Sequence, residues 1–401
     1  LDGPQRPGAG RSENEGVVVS KYARLGVDVG KKGVEHFQPL IDSLYPGAFA
    51  AVIQDPESPE RVRCMHTDSA GSKPVQSYLH WRETGDTRWF RGLAQDALAM
   101  NLDDVACVGA LGSPVFVDYV AINPQRLPKQ DVLEALSLGF KDCLTLLRRH
   151  GVDVRFAGGE TADLPDQLRT LDVSGAVYAW AKKAEVVTGR GVKEGDVIIG
   201  LRSGGRTKYE KEENSGIMCN FITLARHSLM SREYGERYPE TRDPDGERYY
   251  GRFRFDDFHD GLGMTVGEAI LSPTRLYTPV IAEVLRKFRR HVKGLVHNTG
   301  GGQTKCLRLG RNVHYVKDSL PEPDPIFHLI QRESKEEWRE MYRGGNMGVG
   351  MEIIADPEGA EDILSVPEGL GLEAQIIGRC ERGREGNKLT IRSPLGRFQY
   401  P

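Results

Sequence analysis

The sequence predicts a mixed α/β protein built from two domains. Its 401 residues suit two or three domains, each large enough for its own core. Strand-length apolar runs mix with stretches of helical periodicity in both halves. In each half, moreover, a strand runs directly into a glycine-rich loop.

Residues 1–20 are rich in Gly, Pro, Arg and Glu and lack an apolar h-region, which predicts a disordered tail rather than a signal peptide. Val34–Leu44 shows helical spacing, and Val62–Thr67 reads as the first strand. Thr87–Ala110 is predicted as the main helix, with Leu93, Ala94, Ala97, Met100, Val105 and Val108 forming a stripe of near-helical period. A strand at Val115–Ile122, an amphipathic helix at Lys129–His150 and a strand at Val152–Ala157 follow. The last opens into Gly158-Gly159-Glu160-Thr161, and a strand at Thr170–Trp180 closes this half. The polar connection Lys182–Gly195 divides the chain into domains at 21–183 and 184–401. In the second, strands are predicted at Asp196–Leu201, Gly294–His297, Gly348–Ile354 and Ala374–Arg379, and helices at Val280–His291 and Gly359–Leu364. Residues 231–263, crowded with acids and arginines, read as a surface insertion.

Hydrophobic residues make up 39% and charged residues 28%, as in ordinary soluble globular chains, and 54 basic against 57 acidic residues leave a net charge of −3. That balance predicts neither a nucleic-acid nor a membrane-surface partner. Cysteines at 64, 107, 143, 219, 306 and 380 show no Cys-x-x-Cys spacing, so neither a zinc site nor a disulfide framework is predicted, and a reducing cytoplasm fits. No apolar run approaches the roughly eighteen residues of a membrane span.

The chemistry centres on Thr67-Asp68-Ser69-Ala70-Gly71-Ser72-Lys73. A carboxylate, small flexible residues, a hydroxyl and an ammonium at the end of a strand suit a metal–nucleotide complex. The stretch is not a P-loop, because Ser72 separates Gly71 from Lys73. On the long helix, Asp103 falls within about 20° of Asp96, and Asp104 lies about 80° away. Carboxylates beside an apolar stripe need a partner or a metal, and both a solvated acidic face and a functional cluster stay open. Gly158-Gly159-Glu160-Thr161 suits close backbone approach to a ligand, with Glu160 as a hydrogen-bonding or metal-binding carboxylate. Asn298-Thr299-Gly300-Gly301-Gly302 suits a second, phosphate-bearing ligand. His66 and His297 read as packed, hydrogen-bonded histidines. Arg275, in Ser272-Pro273-Thr274-Arg275, suits either a phosphate or a salt bridge.

In order along the chain, these pieces resemble the aminoimidazole ribonucleotide synthetase family, also called phosphoribosylformylglycinamidine cyclo-ligase. The resemblance runs from Tyr22 to about Arg379. It passes through Gly26-Val27-Asp28, Thr67 to Lys73, Asp96 to Met100, Asp103-Asp104, Phe116 to Tyr119 and Gly158 to Asp163. It continues through Ser272 to Tyr277, Thr299 to Gly302, Glu340 to Arg343 and Asn346 to Met351. It implies a ligase of purine biosynthesis in which ATP, with magnesium, phosphorylates the formamide oxygen of formylglycinamidine ribonucleotide before ring closure. It also implies two α/β domains, the first lending strands to a β-barrel shared across a cytoplasmic homodimer.

By the same resemblance, Asp68 and Asp104 are metal–phosphate ligands and Asp68, Lys73, Asp96 and Glu160 are the catalytic set. Gly71, Ser72, Lys73, Gly158, Gly159, Glu160 and Thr161 surround ATP. Lys208, Asn220, Arg275, Thr299, Gly300, Gly301 and Gly302 face the phosphoribosyl substrate. Helix geometry favours Asp103 as the companion of Asp96, whereas the family pattern favours Asp104. One departure stands out: the family's Ser-Gly-Pro-His-Ser-Asn-Gly run is replaced by Ser203-Gly204-Gly205-Arg206-Thr207-Lys208-Tyr209-Glu210-Lys211-Glu212. Lys208, Lys211 and His227 are candidates to replace the missing histidine. Its loss leaves open another ATP-dependent enzyme of the superfamily, or a nucleotide-binding paralogue without turnover.

Overall fold

The computed structural model describes residues 20–401. The tail expected at 1–20 lies outside the described residues except for Ser20, whose hydroxyl caps α1 (Lys21–Arg24) by accepting from the Ala23 amide at 3.1 Å. Val34–Leu40 is a 3-10 segment, so the helical spacing seen there is realised in a tighter form.

The first domain is a five-stranded sheet covered on one face by helices. Its strands β1 (Val52–Gln54), β2 (Arg61–Ser69), β3 (Gly112–Ile122), β4 (Arg155–Asp163) and β5 (Leu171–Lys182) lie in the order β1-β2-β5-β3-β4. Only β3 and β4 run parallel; the other neighbours are antiparallel. The two-residue period turns Val62, Cys64, Val173 and Val177 inward onto a core shared with α2 (Lys73–Thr84), α3 (Arg91–Ala106) and α4 (Lys129–Arg149). The opposite face leaves Ile53, Met65, Val117 and Tyr119 exposed. Gly139 lets α4 press on α3, since a Cβ there would stand 2.2 Å from the Arg91 carbonyl oxygen.

The strand expected at Val152–Ala157 starts three residues later and continues through both glycines to Asp163. Gly158, at φ +95°, sits at a bulge between the pairs Phe116–Phe156 and Asp118–Gly159, so Gly158-Gly159-Glu160-Thr161 is edge strand and not loop.

The second domain begins with β6 (Val197–Arg202), the short pair β7 (Gly204–Gly205) and β8 (Asn214–Ser215), and α5 (Ile222–Leu229). The region 231–263 holds α6 (Arg232–Arg237) and the ribbon β9 (Phe258–His259) and β10 (Met264–Thr265). Then come α7 (Val266–Leu271), α8 (Thr278–Phe288), β11 (Val292–His297), β12 (Val313–Lys317), α9 (Pro325–Ser334) and α10 (Trp338–Gly344). The chain ends with β13 (Val349–Ala355), α11 (Ala360–Gly369), β14 (Ala374–Arg382), β15 (Lys388–Ser393) and β16 (Gly396–Tyr400). Seven strands form one sheet in the order β11-β13-β6-β14-β12-β15-β16. All seven residues of β13 are buried, as a strand covered on both faces requires.

The region 231–263, which reads as a surface insertion, sends side chains into the interior. Tyr234, Tyr238, Tyr249 and Phe255 are buried in the second domain's core. From there the segment reaches the first domain: Glu240 accepts from the Tyr78 hydroxyl and from Arg82 at 2.9 Å, and Glu83 accepts from the Tyr238 hydroxyl at 2.5 Å and pairs with Arg237 at 3.0 Å. It is a strap across α2.

Among the described residues no helix is long and apolar enough to cross a membrane, and all six cysteines are free thiols.

Candidate active site

The long helix α3 lies between the two domains, and its residues from Ala97 to Ala106 are all buried. No solvated acidic face exists; each carboxylate must find partners inside the protein. Asp96 and Asp103, on one side of the helix as the 100° rule requires, both bind the segment 272–278. Asp96 Oδ1 accepts from the Thr274 amide and hydroxyl, both at 2.7 Å, and from Lys73 Nζ at 2.7 Å. Asp103 accepts from the Tyr277 amide at 3.0 Å, the Thr278 amide at 2.7 Å and the Thr278 hydroxyl at 2.6 Å, capping α8 from another domain. Burial raises the Asp103 carboxyl above its ordinary value.

Asp104 points elsewhere. Its Oδ1 meets His297 Nδ1 at 2.8 Å and its Oδ2 meets His66 Nε2 at 3.3 Å. Burial pushes this carboxyl upward, but the charge of Lys305, the His297 hydrogen bond and the two imidazoles outweigh it and hold Asp104 well below the usual carboxylate range. His66 comes from β2, two residues before Asp68, and the alternation of the strand sends both side chains to the α3 side. His297 ends β11 and leads into the glycine loop. Lys305 comes from the 3-10 turn Gly302–Arg308; its Nζ donates to Thr299 Oγ1 and lies 5.0 Å from the centre of the Phe49 ring. Four separate segments thus bring two histidines, two aspartates and a lysine to one seam.

The glycine loop needs its glycines. Gly301 and Gly302 adopt φ of +98° and +47°, and a Cβ on Gly302 would fall 2.2 Å from the Gly345 carbonyl oxygen. Asn220 supports the loop by donating to the Asn298 carbonyl at 3.2 Å. Beneath it, the wholly buried Lys317 joins Glu352 at 2.5 Å, and Glu352 accepts from Asn298 at 2.7 Å.

Several anticipated residues have other duties. Lys73 is fully buried, with Nζ on Asp96 and on the Ser272 carbonyl at 2.5 Å, so it ties two domains together and does not face an open phosphate site. Arg275, also buried, is spent on Glu210 and on the carbonyls of Arg202, Gly204 and Gly205. Lys208 is exposed and donates to the Gly369 carbonyl at 2.9 Å. His227 bonds the Thr223 carbonyl of its own helix, and burial pushes its pKa down to about 4. Gly71, at φ +62°, turns the chain from β2 into α2, and the Ser72 hydroxyl meets that of Thr223 at 2.9 Å.

Glu160 is not brought to Asp68. Register aligns Asp68 with Gly175, Gly175 with Asp118 and Asp118 with Gly159. Three strand spacings, about 14 Å, therefore separate β4 from β2. Glu160, one residue on and opposite Tyr119, projects to the other face of the sheet. Gly158, Gly159 and Thr161 stay with it on that edge strand.

The structure thus gathers Asp68, Asp104, Thr299 and the loop glycines, and adds His66, His297 and Lys305. Lys305 was invisible in the sequence, being a lone lysine three residues past a glycine run. The two histidines were seen as packed, hydrogen-bonded residues, and His297 is fully buried; their common carboxylate was the missing fact. A two-residue spacing between His66 and Asp68 on a strand was the one available signal. Among the described residues, no group of three or more His, Cys, Asp or Glu side chains is placed to hold a metal ion. Two aspartates with a lysine beside them suit a magnesium ion that arrives on phosphate and borrows one or two carboxylates, rather than an all-protein cage.

Residues 47–181 match the family described as AIR synthase related protein, N-terminal domain, and residues 193–388 match its C-terminal domain. The phosphoribosylformylglycinamidine cyclo-ligase of Methanocaldococcus jannaschii is 35% identical over 337 residues, covering 81% of each chain. That of Alkaliphilus metalliredigens is 29% identical over 381 residues, covering 90% of this chain and 95% of its own. Among solved structures, AaThiL complexed with AMPPCP and TMP shares the fold at a TM-score of 0.54 and 12% identity, covering 92% and 96% of the two chains. Phosphoribosylformylglycinamidine synthase II from Thermotoga maritima aligns at a TM-score of 0.52 and 14% identity, with 95% of this chain spanning half of that one. Two matched domains in sequence order, with curated relatives across four-fifths of the chain, place this protein in the AIR synthase related family, alongside the phosphoribosylformylglycinamidine cyclo-ligases.

Proposed function

We propose that the protein is the ATP-dependent cyclo-ligase that closes formylglycinamidine ribonucleotide to aminoimidazole ribonucleotide. The observation that carries the reading is Asp104, held ionised between His66 and His297 where the Asp68 strand meets the Thr299–Gly302 loop. An amide oxygen is a poor leaving group. Transfer of the γ-phosphoryl to it breaks the bridging P–O bond of ATP and releases ADP. Attack by the amidine-side nitrogen on the activated carbon then expels phosphate. Such transfers depend on positioning and charge neutralisation more than on covalent help from the protein.

In this assignment Asp68 and Asp104 would hold magnesium, which would supply charge neutralisation for the phosphates. The His297 and His66 imidazoles fix the orientation of Asp104 and keep it ionised. The Gly300 and Gly301 backbone amides, which are not spent on the loop's own carbonyls as those of Thr299 and Gly302 are, approach the substrate's phosphate, with Asn220 and the buried Lys317–Glu352 pair holding the loop in place. Asp96 and Lys73 act on the site only through the seam they close. Unpaired cysteines suit a reducing cytoplasm.

The same reading extends to a homodimer. The exposed outer face of the first sheet, with Ile53, Met65, Val117 and Tyr119, matches the surface the family's shared barrel would enclose. Glu160 leaves on that face, so it acts in a partner's site or in none. Light scattering that finds a monomer at micromolar concentration rules out the dimer.

To test the reaction, the purified protein is incubated with ATP, magnesium and formylglycinamidine ribonucleotide while ADP and aminoimidazole ribonucleotide are followed together. Equal appearance of both is the expected result. ADP without the imidazole, or neither product, overturns the assignment.

A further inference from the structure

Three lysines are buried among the described residues: Lys73, Lys305 and Lys317. Two of them are paired with carboxylates. Lys73 meets Asp96 at 2.7 Å and Lys317 meets Glu352 at 2.5 Å, and each also donates to a backbone carbonyl. Lys305 differs. Among the described residues its one hydrogen-bond acceptor is the neutral Thr299 hydroxyl, and its other neighbour of note is the face of Phe49. No carboxylate among them lies within ion-pair distance.

A buried ammonium has three donors and a large desolvation cost, which a single hydroxyl and an aromatic face do not offset. The nearby negative charge is Asp104 and Asp68, felt at longer range. Burial lowers the ammonium's pKa, whereas those two carboxylates work to keep the proton on. Further unsatisfied polar atoms lie on the two histidines that bind Asp104: His297 Nε2 and His66 Nδ1 are buried without partners among the described residues. Through Thr299, whose amide bonds the His297 carbonyl at 2.8 Å, Lys305 is connected to the imidazole that binds Asp104. A cation placed between the aspartates and the glycine loop, and short of an anion, has the surroundings of a phosphate-binding group awaiting its ligand.

We propose that Lys305 is the ammonium that holds the γ-phosphoryl group by its oxygens during transfer, the duty that the motif around Asp68 suggested for Lys73. This rests on the ATP-dependent reading above. Lys305 donates hydrogen bonds to non-bridging γ-oxygens and keeps its proton throughout. The bond that breaks is the bridging P–O bond of ATP, whose electron pair leaves with ADP, and the bond that forms is from phosphorus to the substrate oxygen. Recognition of the γ-phosphate is thereby separate from binding of the rest of the nucleotide.

The test is the affinity of wild type, Lys305→Met and Lys305→Arg for ATP and for ADP by calorimetry with magnesium, alongside kcat and KM. Lys305→Met is expected to weaken ATP about ten- to a hundredfold and leave ADP within about twofold. Lys305→Arg is expected to recover part of the ATP affinity. Should Lys305→Met be lost to unfolding, Lys305→Arg alone decides, by whether its ATP-to-ADP preference shifts from that of wild type. An unchanged preference in the variants, with wild type binding ATP, overturns the role of Lys305 and leaves the cyclo-ligase reading standing. A wild type that binds no ATP overturns both.

Discussion

Asp103 and Asp104 are adjacent in the chain and have opposite duties because a helix turns about 100° between them. Asp103 faces α8 and caps it; Asp104 faces β2 and β11 and meets two histidines. Substitution should therefore separate stability from turnover. Asp104→Asn removes a charge at the proposed metal–phosphate site with little change in volume, so kcat should fall at least about a hundredfold while the fold survives. Asp103→Asn replaces an acceptor by an amide that confronts the Tyr277 and Thr278 amides. It should cost about 1–3 kcal/mol in urea denaturation and leave kcat within about threefold. Equal losses of activity in both variants would remove the distinction. The sequence-level geometry had grouped Asp103 with Asp96 correctly. What it lacked was the chain segment 272–278, whose approach to that side of the helix turns the pair into structural acceptors.

Among elements, α2 and the strap over it were the least readable. Gln76, Ser77 and His80 are polar yet buried, so α2 shows no clean apolar stripe, and no helix was expected at Lys73–Thr84. The strap's composition hid it in the same way, because its tyrosines carry the packing while its charges dominate the count. His80 sits between the rings of Trp89 and Phe255, with centroids 4.6 and 4.8 Å away, and neither nitrogen has a partner among the described residues. Burial pushes its pKa down to about 3. A depressed histidine pKa means that the unfolded chain binds the proton more readily between about pH 6.5 and 3. Stability contributed by the neutral ring is present above that window and falls as pH drops through it, by up to about 1.4 kcal/mol per unit. The stability of wild type relative to His80→Leu should accordingly fall by about 2 kcal/mol from pH 7 to pH 5. A gap that does not move with pH would show the imidazole to be solvated. Glu83→Ala should loosen the strap's other anchor, lowering stability by about 1–3 kcal/mol and opening the 237–254 stretch to protease.

At the scale of the molecule, the alternation of strands and helices and the glycine loop were readable because each is a local pattern. The seam was not, since it joins residues far apart in the chain: Lys73, Asp96 and Thr274, or Asp103 and Thr278. That seam makes α3 a shared core, packed by the first domain's sheet on one side and the second domain's segment on the other. Shared burial of this kind couples two domains into one folding unit, because neither can open without exposing the paired charges of Lys73 and Asp96. Calorimetry should therefore show one unfolding transition for the whole chain, and two resolved transitions would show that the domains melt independently. Lys73→Met sharpens the question. It leaves Asp96 buried without its cation, which should cost about 3–5 kcal/mol, and should either lower the single transition or split it in two. A lysine that faced the nucleotide would give the reverse pattern, unchanged melting with weakened ATP binding. Measuring both on one variant thus decides whether the lysine of the Asp68 motif serves the fold or the ligand.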